Sequence, residues 1–337
     1  MNSSFVFTQE LDRWGPGAST GGGVSEIEAE AYCRELTRSH YENFPIVSWL
    51  LPRRLHTHFQ SVYAFCRWAD DLADEVPDKK RSLELLAWWR TQLHDCYASR
   101  PTIGEHPGIK HPVYVALAKT ISECEIPIEP FDDLISAFEQ DQHIGEYSTF
   151  EELQAYCRRS ANPVGRIVLH LIGQVNERNL AWSDSICTGL QLANFWQDVS
   201  RDFDIGRVYL PREDREKLGY SDDSLQRRET NDAFIALMQY EVDRAAEFLR
   251  AGMPLVDALP GRLQIDIELF ARGGLKILEQ IERIGYRVWE TRPTVTKWDA
   301  VNLFCLCLAR GCGRTLGLCR TNPMSSRREE ASANRRS

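Results

Sequence analysis

LQIDIELFARGGLKILEQIERI, residues 263–284, places apolar side chains at Ile267, Phe270, Ala271, Leu275, Leu278 and Ile281. Three- and four-residue spacing is the signature of one apolar helix face. The same period runs through LLAWWRTQL (85–93), FDDLISAF (131–138) and FIALMQYEVDRAAEFL (234–249), while strand signal is slight. An all-α chain follows, a single helical bundle cut into ten or more helices by Pro77, Pro101, Pro107, Pro112, Pro127, Pro130, Pro211, Pro254, Pro260 and Pro293. No fixed-period repeat and no long linker divides the middle. Residues 1–25, which include GPGASTGGG, read as a flexible arm, 26–316 as the helical domain, and 317–337, ending in MSSRREEASANRRS, as a flexible polar tail.

At 337 residues and 43% hydrophobic, the chain is long enough to bury a sizeable core. Its 40 basic against 49 acidic side chains, a formal charge of −9, give no general attraction to nucleic acid. An anionic substrate would need local cations. The ten cysteines are scattered singly in apolar helical contexts, and no N-terminal apolar signal segment precedes them. This points to a reducing cytoplasm. Cys305, Cys307, Cys312 and Cys319 lack a C-x-x-C pair, and the run VNLFCLCLA reads as core helix, so structural thiols are expected ahead of zinc. No apolar run approaches the ~18 residues of a membrane span, which leaves a protein that is soluble or at most peripheral to a membrane. No obligate protein partner is evident.

Two stretches concentrate chemistry. In FCRWADDLADE (65–75), Asp70 and Asp74 share a helix face one turn apart, and Tyr63, Arg67 and Asp71 extend that stripe. Like charges at that spacing repel. In QLANFWQDVSRDFDIGRVYLP (191–211), Asn194, Asp198 and Asp202 are four apart and Gln191 lies one turn earlier. Two helices presenting oxygen ligands at i and i+4 across a cavity would hold Mg²⁺, which takes carboxylates, water and phosphate oxygens in an octahedral shell. One such pair is common on helix surfaces; two, one of them among Leu192, Phe195, Trp196 and Val199, favour a site over solvated acidic turns. A di-iron carboxylate bundle is disfavoured because Glu-x-x-His pairs are missing.

With SHYENFPIVSWLLP (39–52), YAFCRWADD (63–71), YCRRSANPVG (156–165) and GRVYLP (206–211) in the same order, the sequence resembles the head-to-head trans-isoprenyl diphosphate synthases, the squalene and phytoene synthases, over about residues 30–310. Among their branches SHYENFP, NFWQDV and SANPVG look most like the hydroxysqualene synthase of bacterial hopanoid biosynthesis. The resemblance implies the isoprenoid (terpenoid) synthase fold with a central cavity between helices. It implies Asp70, Asp74, Asn194, Asp198 and Asp202 as metal ligands, and Asp70, Asp74, Asp198, Asp202, Tyr63 and Arg67 as the catalytic set. It places His40, Phe44, Tyr63, Arg67, Tyr156, Gln191 and Asn194 on positions that line the diphosphate or prenyl site.

Mg²⁺ and Arg67 would then stabilise charge on departing diphosphate, with Mn²⁺ the alternative ion, and an apolar cavity with Phe44, Phe195 or Trp196 would shelter a carbocation. For each of these aromatics plain core packing is the competing role. Arg207, Tyr209, Arg292 and Lys297 are further candidates for phosphate contact. Two positions depart from the D-x-x-E-D of eukaryotic squalene synthases, which have an acid where this chain has Ala73 and Arg201. The implied reaction is conversion of presqualene diphosphate, a prenyl diphosphate, and water to hydroxysqualene with loss of diphosphate. No NADPH is expected. The alternatives are a prenyltransferase that condenses two farnesyl diphosphates to presqualene diphosphate, squalene or dehydrosqualene, a phytoene synthase-like activity, or an inactive helical scaffold.

Overall fold

The computed structural model describes residues 6–18, 23–39, 52–98, 110–261, 263–294 and 307. Among them the chain is helical, and the one β-type contact is an isolated parallel bridge between Glu146 and Val208. The order is α1 (Phe7–Trp14), α2 (Glu26–Ser39), α3 (His56–Asp74), α4 (Lys79–Ala98), α5 (Pro112–Cys124), α6 (Glu129–Asp141), α7 (Phe150–Ser160), α8 (Asn162–Leu171), α9 (Glu177–Asp204), α10 (Arg212–Lys217), α11 (Asp222–Gln226), α12 (Asp232–Gly252), α13 (Pro254–Ala258) and α14 (Leu263–Arg283).

Local chemistry sets these boundaries. The Thr149, Asn176, Ser221 and Asn231 side chains accept a backbone N–H in the first turn of α7, α9, α11 and α12. Each such cap stabilises its helix by about 1 kcal/mol. Proline at the first or second position opens α5, α6, α8 and α13, where its missing N–H is not needed.

One core gathers around α3, α4 and α5, with Phe65, Trp68, Trp89 and Tyr114 fully buried. At its centre His111 lies edge-on to Trp68 and Trp89, with ring centroids 4.5 and 4.8 Å away. A second core forms where α9 packs on α12 and α14, around Trp196, Phe234 and Leu249. Gly189 and Gly252 permit that close approach, since a Cβ on Gly189 would sit 2.9 Å from the Leu249 backbone N and one on Gly252 2.6 Å from the Trp182 carbonyl oxygen.

The expectation of a flexible arm over 1–25 is corrected within the described residues. FTQELDRW forms α1, with Phe7 buried against Trp68 at 5.4 Å and Trp14 edge-on to Tyr32 at 6.3 Å. Two aromatic anchors outweigh the glycine-rich stretch that follows. The tail from 317 lies outside the described residues.

Candidate active site

Helix α3 buries Val62, Phe65, Trp68, Ala69 and Leu72, which turns Tyr63, Arg67 and Asp70 toward the helix's polar side. Asp70 is 43% and Asp74 57% exposed at the side chain. Arg67 is held by its own helix, 3.3 Å from Asp70 and ion-paired with buried Asp71. That pairing fixes Arg67 beside Asp70. Ala73 is buried in the core, and its carbonyl accepts a hydrogen bond from Gln142 Nε2 at 3.1 Å. An acid there would face apolar packing, so the departure at Ala73 removes no carboxylate from the polar side.

Helix α9 carries the second motif through a kink: Asp198 has φ −107° and ψ 15° inside an otherwise helical run. Its carboxylate is 13% exposed and accepts a forked pair from Arg292, Nε at 2.5 Å and Nη2 at 3.0 Å. The segment bearing Arg292 is pinned to α9 by Gln197 Nε2, which donates to the Pro293 carbonyl at 2.7 Å, and by Trp289 edge-on to Phe203 at 5.5 Å. Arg201 is 68% exposed and only 3.8 Å from Asp198, so it faces solvent at the margin of the same carboxylate. Trp196 is fully buried and donates to the Glu241 carbonyl at 3.1 Å, as the core-packing alternative has it.

Asp70 and Asp202 line one open cavity of about 240 Å³, together with Gln191 and Asn194 of α9 and Tyr156 of α7. Phe195 and Tyr209 form part of its wall, stacked with centroids 3.7 Å apart and 10° between planes. Arg207 also lines it and reaches to 3.7 Å from Asp74 at the end of α3. The turn that delivers Arg207 requires glycine. Gly206 has φ +78°, and a Cβ on Gly145 would lie 2.6 Å from the Gly206 carbonyl oxygen, so the two strands of loop touch backbone to backbone.

Negative charge is crowded here. Burial, then the Asp74 charge, pushes Asp70 up to about 6. Burial and the neighbouring Asp198 push Asp202 up to about 7. Asp141, at the end of α6, also lines the cavity; burial raises it to about 6 although Tyr156 donates to its Oδ2 at 2.9 Å. Asp141 was not legible as a site residue, because AFEQDQH offers no second acid one turn away; only the fold brings it in. The other Asp141 oxygen is buried without a partner.

A second cavity, about 290 Å³ and almost wholly apolar, lies between α8, α9 and α14. Its lining includes Val168, Ile186, Leu190 and Phe270. Leu190 of this cavity directly precedes Gln191 of the polar one, so one helix borders both. A polar mouth beside an apolar pocket suits an amphiphile with an anionic head.

The sequence-expected residues therefore divide. Asp70, Asp202, Asn194, Gln191 and Tyr156 meet around one cavity; Arg67 is joined to its acids, and Asp74 reaches the cavity through Arg207. Asp198 instead engages Arg292, and Tyr63 is half-buried on α3 with its phenol raised by burial. His40, Phe44, Lys297 and Cys305 lie outside the described residues. Among the described residues, no three His, Cys, Asp or Glu side chains converge closely enough to cage an ion. The donors on offer are carboxylate and amide oxygens, which suit a hard cation that keeps water and phosphate oxygens in its shell.

The comparisons bear on the whole arrangement. The sequence profile described as squalene/phytoene synthase matches residues 37–299. The crystal structure of squalene synthase HpnC from Alicyclobacillus acidocaldarius is 41% identical and superposes with a TM-score of 0.72, covering 77% of this chain and 95% of that one. The hydroxysqualene synthase of Rhodopseudomonas palustris is 31% identical over 72% of this chain and 80% of its own length. The phytoene synthase of Arthrospira platensis is 29% identical over 84% of this chain and 93% of its own length. Two acid-bearing helix segments, a cavity bordered by both and this breadth of sequence match lead to one assignment: the chain belongs to the squalene/phytoene synthase family and has its terpenoid synthase fold.

Proposed function

We propose that the protein converts presqualene diphosphate and water to hydroxysqualene, releasing diphosphate. The observation that carries this reading is the joint lining of one cavity by Asp70, Asp202 and Arg207, bordered through Leu190 by an apolar pocket. Its branch rests on the 31% identical hydroxysqualene synthase and the 41% identical squalene synthase HpnC.

Asp70, Asp74, Asn194, Asp198 and Asp202 are the residues that would hold Mg²⁺, with Mn²⁺ the alternative. That no three such side chains converge among the described residues is compatible with Mg²⁺, which relies on one or two carboxylates and borrows the rest of its shell from phosphate and water. The bound ions would neutralise charge on the leaving diphosphate. Arg207, in the cavity wall, and Arg292, on Asp198, would supply further positive charge as hydrogen-bond donors to phosphate oxygens. Arg67 holds Asp70 in place, and Tyr63 belongs to the same stripe. The prenyl chains occupy the apolar pocket, which keeps bulk water from the carbocation.

The test is incubation of the purified protein with Mg²⁺, without NADPH, separately with presqualene diphosphate and with farnesyl diphosphate, followed by mass spectrometry of products. Hydroxysqualene from the first substrate is the expected result. Consumption of farnesyl diphosphate alone supports the second reading, condensation of two prenyl diphosphates, which the phytoene synthase relatives favour. An inert scaffold would show no Mg²⁺-dependent binding of either. No helix among the described residues is long and apolar enough to cross a membrane. Peripheral contact with a lipid surface is part of the proposal only as the route by which such substrates arrive.

A further inference from the structure

The wall of the apolar cavity contains one carboxylate. Asp266, in the first turn of α14, lines the pocket with Ile267 and Phe270 of its own helix and Ile186 and Leu190 of α9. It is 4% exposed, and neither carboxylate oxygen has a hydrogen-bond partner. Among the described lining residues it is the only acid or base of the Asp, Glu, His, Lys or Arg kind. Cys187, also in the wall, is pushed up to about 11 by burial and stays a thiol.

An unpartnered buried carboxyl demands an explanation, because polar groups leave water only when something else bonds them. The positive end of α14 favours an acid in its first turn, but that gain is smaller than the loss from hydrogen bonds left unmade. The missing partner is therefore something that enters the pocket. An apolar cavity stays dry unless polar atoms hold water in it, and this pocket offers Asp266 for that purpose.

We propose that Asp266 is a catalytic residue: it holds the water that captures the rearranged allylic cation and takes the proton released by that capture. This rests on the hydroxysqualene reading above. The water oxygen gives an electron pair to the cationic carbon and a C–O bond forms. One O–H bond breaks, its electrons remain on oxygen, and its proton passes to the Asp266 carboxylate. The products are a neutral alcohol and a carboxylic acid, and the proton leaves for solvent as product departs; nothing is oxidised or reduced. Burial pushes Asp266 up to about 7, a range in which a carboxyl group both accepts and returns a proton near neutral pH.

The test compares wild type, Asp266→Asn and Asp266→Leu as full-length proteins with presqualene diphosphate and Mg²⁺, measuring diphosphate release and the product mixture separately. Expected is diphosphate release within about threefold of wild type, since ionisation occurs at the polar mouth. The share of hydroxysqualene falls by about a hundredfold, the low end for removal of a general base, and polyenes formed by proton loss take its place. Both variants should melt at or above the wild-type temperature, because a buried charge without a partner is gone. Should Asp266→Leu fail to fold, the near-isosteric Asp266→Asn carries the comparison. An unchanged hydroxysqualene share in the folded variants overturns the proposal alone, as does a parallel fall of release and alcohol. A wild-type protein that leaves presqualene diphosphate untouched overturns the underlying reading and this proposal together.

Discussion

Asp202→Asn should make the metal-free protein more stable while it removes activity. Asp202 sits among Asp198, Asp141 and Arg207, and burial with the Asp198 charge raises it from 3.8 to about 7. At ~1.4 kcal/mol per pKa unit, that is an upper bound of about 4 kcal/mol held against folding when the group is ionised. Solvent in the open cavity and Arg207 screen it, which leaves an expected gain of about 1–2 kcal/mol for the neutral amide. For a chain of this size that is a rise in Tm of roughly 2–5 °C.

The pH dependence has a definite sign. With its folded-state value above its unfolded one, Asp202 holds a proton more tightly in the native protein, so wild-type stability declines as pH rises from about 4 to about 7 and then levels. The advantage of Asp202→Asn is therefore full at pH 8 and shrinks toward pH 5. Circular dichroism melts in EDTA at both pH values measure it, and turnover with Mg²⁺ should drop by at least about a hundredfold for loss of a metal-shell charge. A lower Tm at pH 8, or an identical shift at both pH values, would refute the account of crowded charge.

Other consequences are equally measurable. Gly145→Ala places a methyl group against the Gly206 carbonyl and should displace Arg207, raising KM for the diphosphate substrate about tenfold with a Tm loss of a few degrees; unchanged kinetics would exclude the role given to that loop contact. Phe7→Ala should cost about 3 kcal/mol in urea unfolding, since the ring is buried against Trp68; a change under ~1 kcal/mol would return α1 to the status of a loose arm. His111 is held neutral, pushed down to about 3 by burial, so the unfolded chain takes up a proton that the native one refuses. Stability should fall by up to ~1.4 kcal/mol per pH unit between about 6.5 and 3 on this account, and His111→Gln should flatten that slope.

The helical class was readable because apolar residues at helical spacing in α12 and α14 do bury one face. Periodicity also brought out Asp70 and Asp202, which share a cavity. What spacing along one helix cannot report is a partner from elsewhere in the chain. Arg292 lies 94 residues beyond Asp198, and Asp141 joins the cavity through packing of α6 on α3 and α7. Helix α1 was missed for a different reason, since average composition over 1–25 concealed eight residues with two well-placed aromatics.

The forked grip of Arg292 on Asp198 gives the second acidic motif a tethered rival to any inorganic ion. A guanidinium fastened to the same chain acts at the high effective concentration of an intramolecular competitor, and it never diffuses away. On the metal role proposed above for Asp198, a divalent ion would meet an occupied carboxylate and bind it more weakly than an open acid pair, whereas a diphosphate arriving at the mouth would offer the displaced arginine a second anion. Occupancy of that carboxylate and arrival of the anion would then be linked events, and Arg292→Leu should sever the link by lowering the Mg²⁺ concentration needed for half-maximal thermal stabilisation in the absence of substrate.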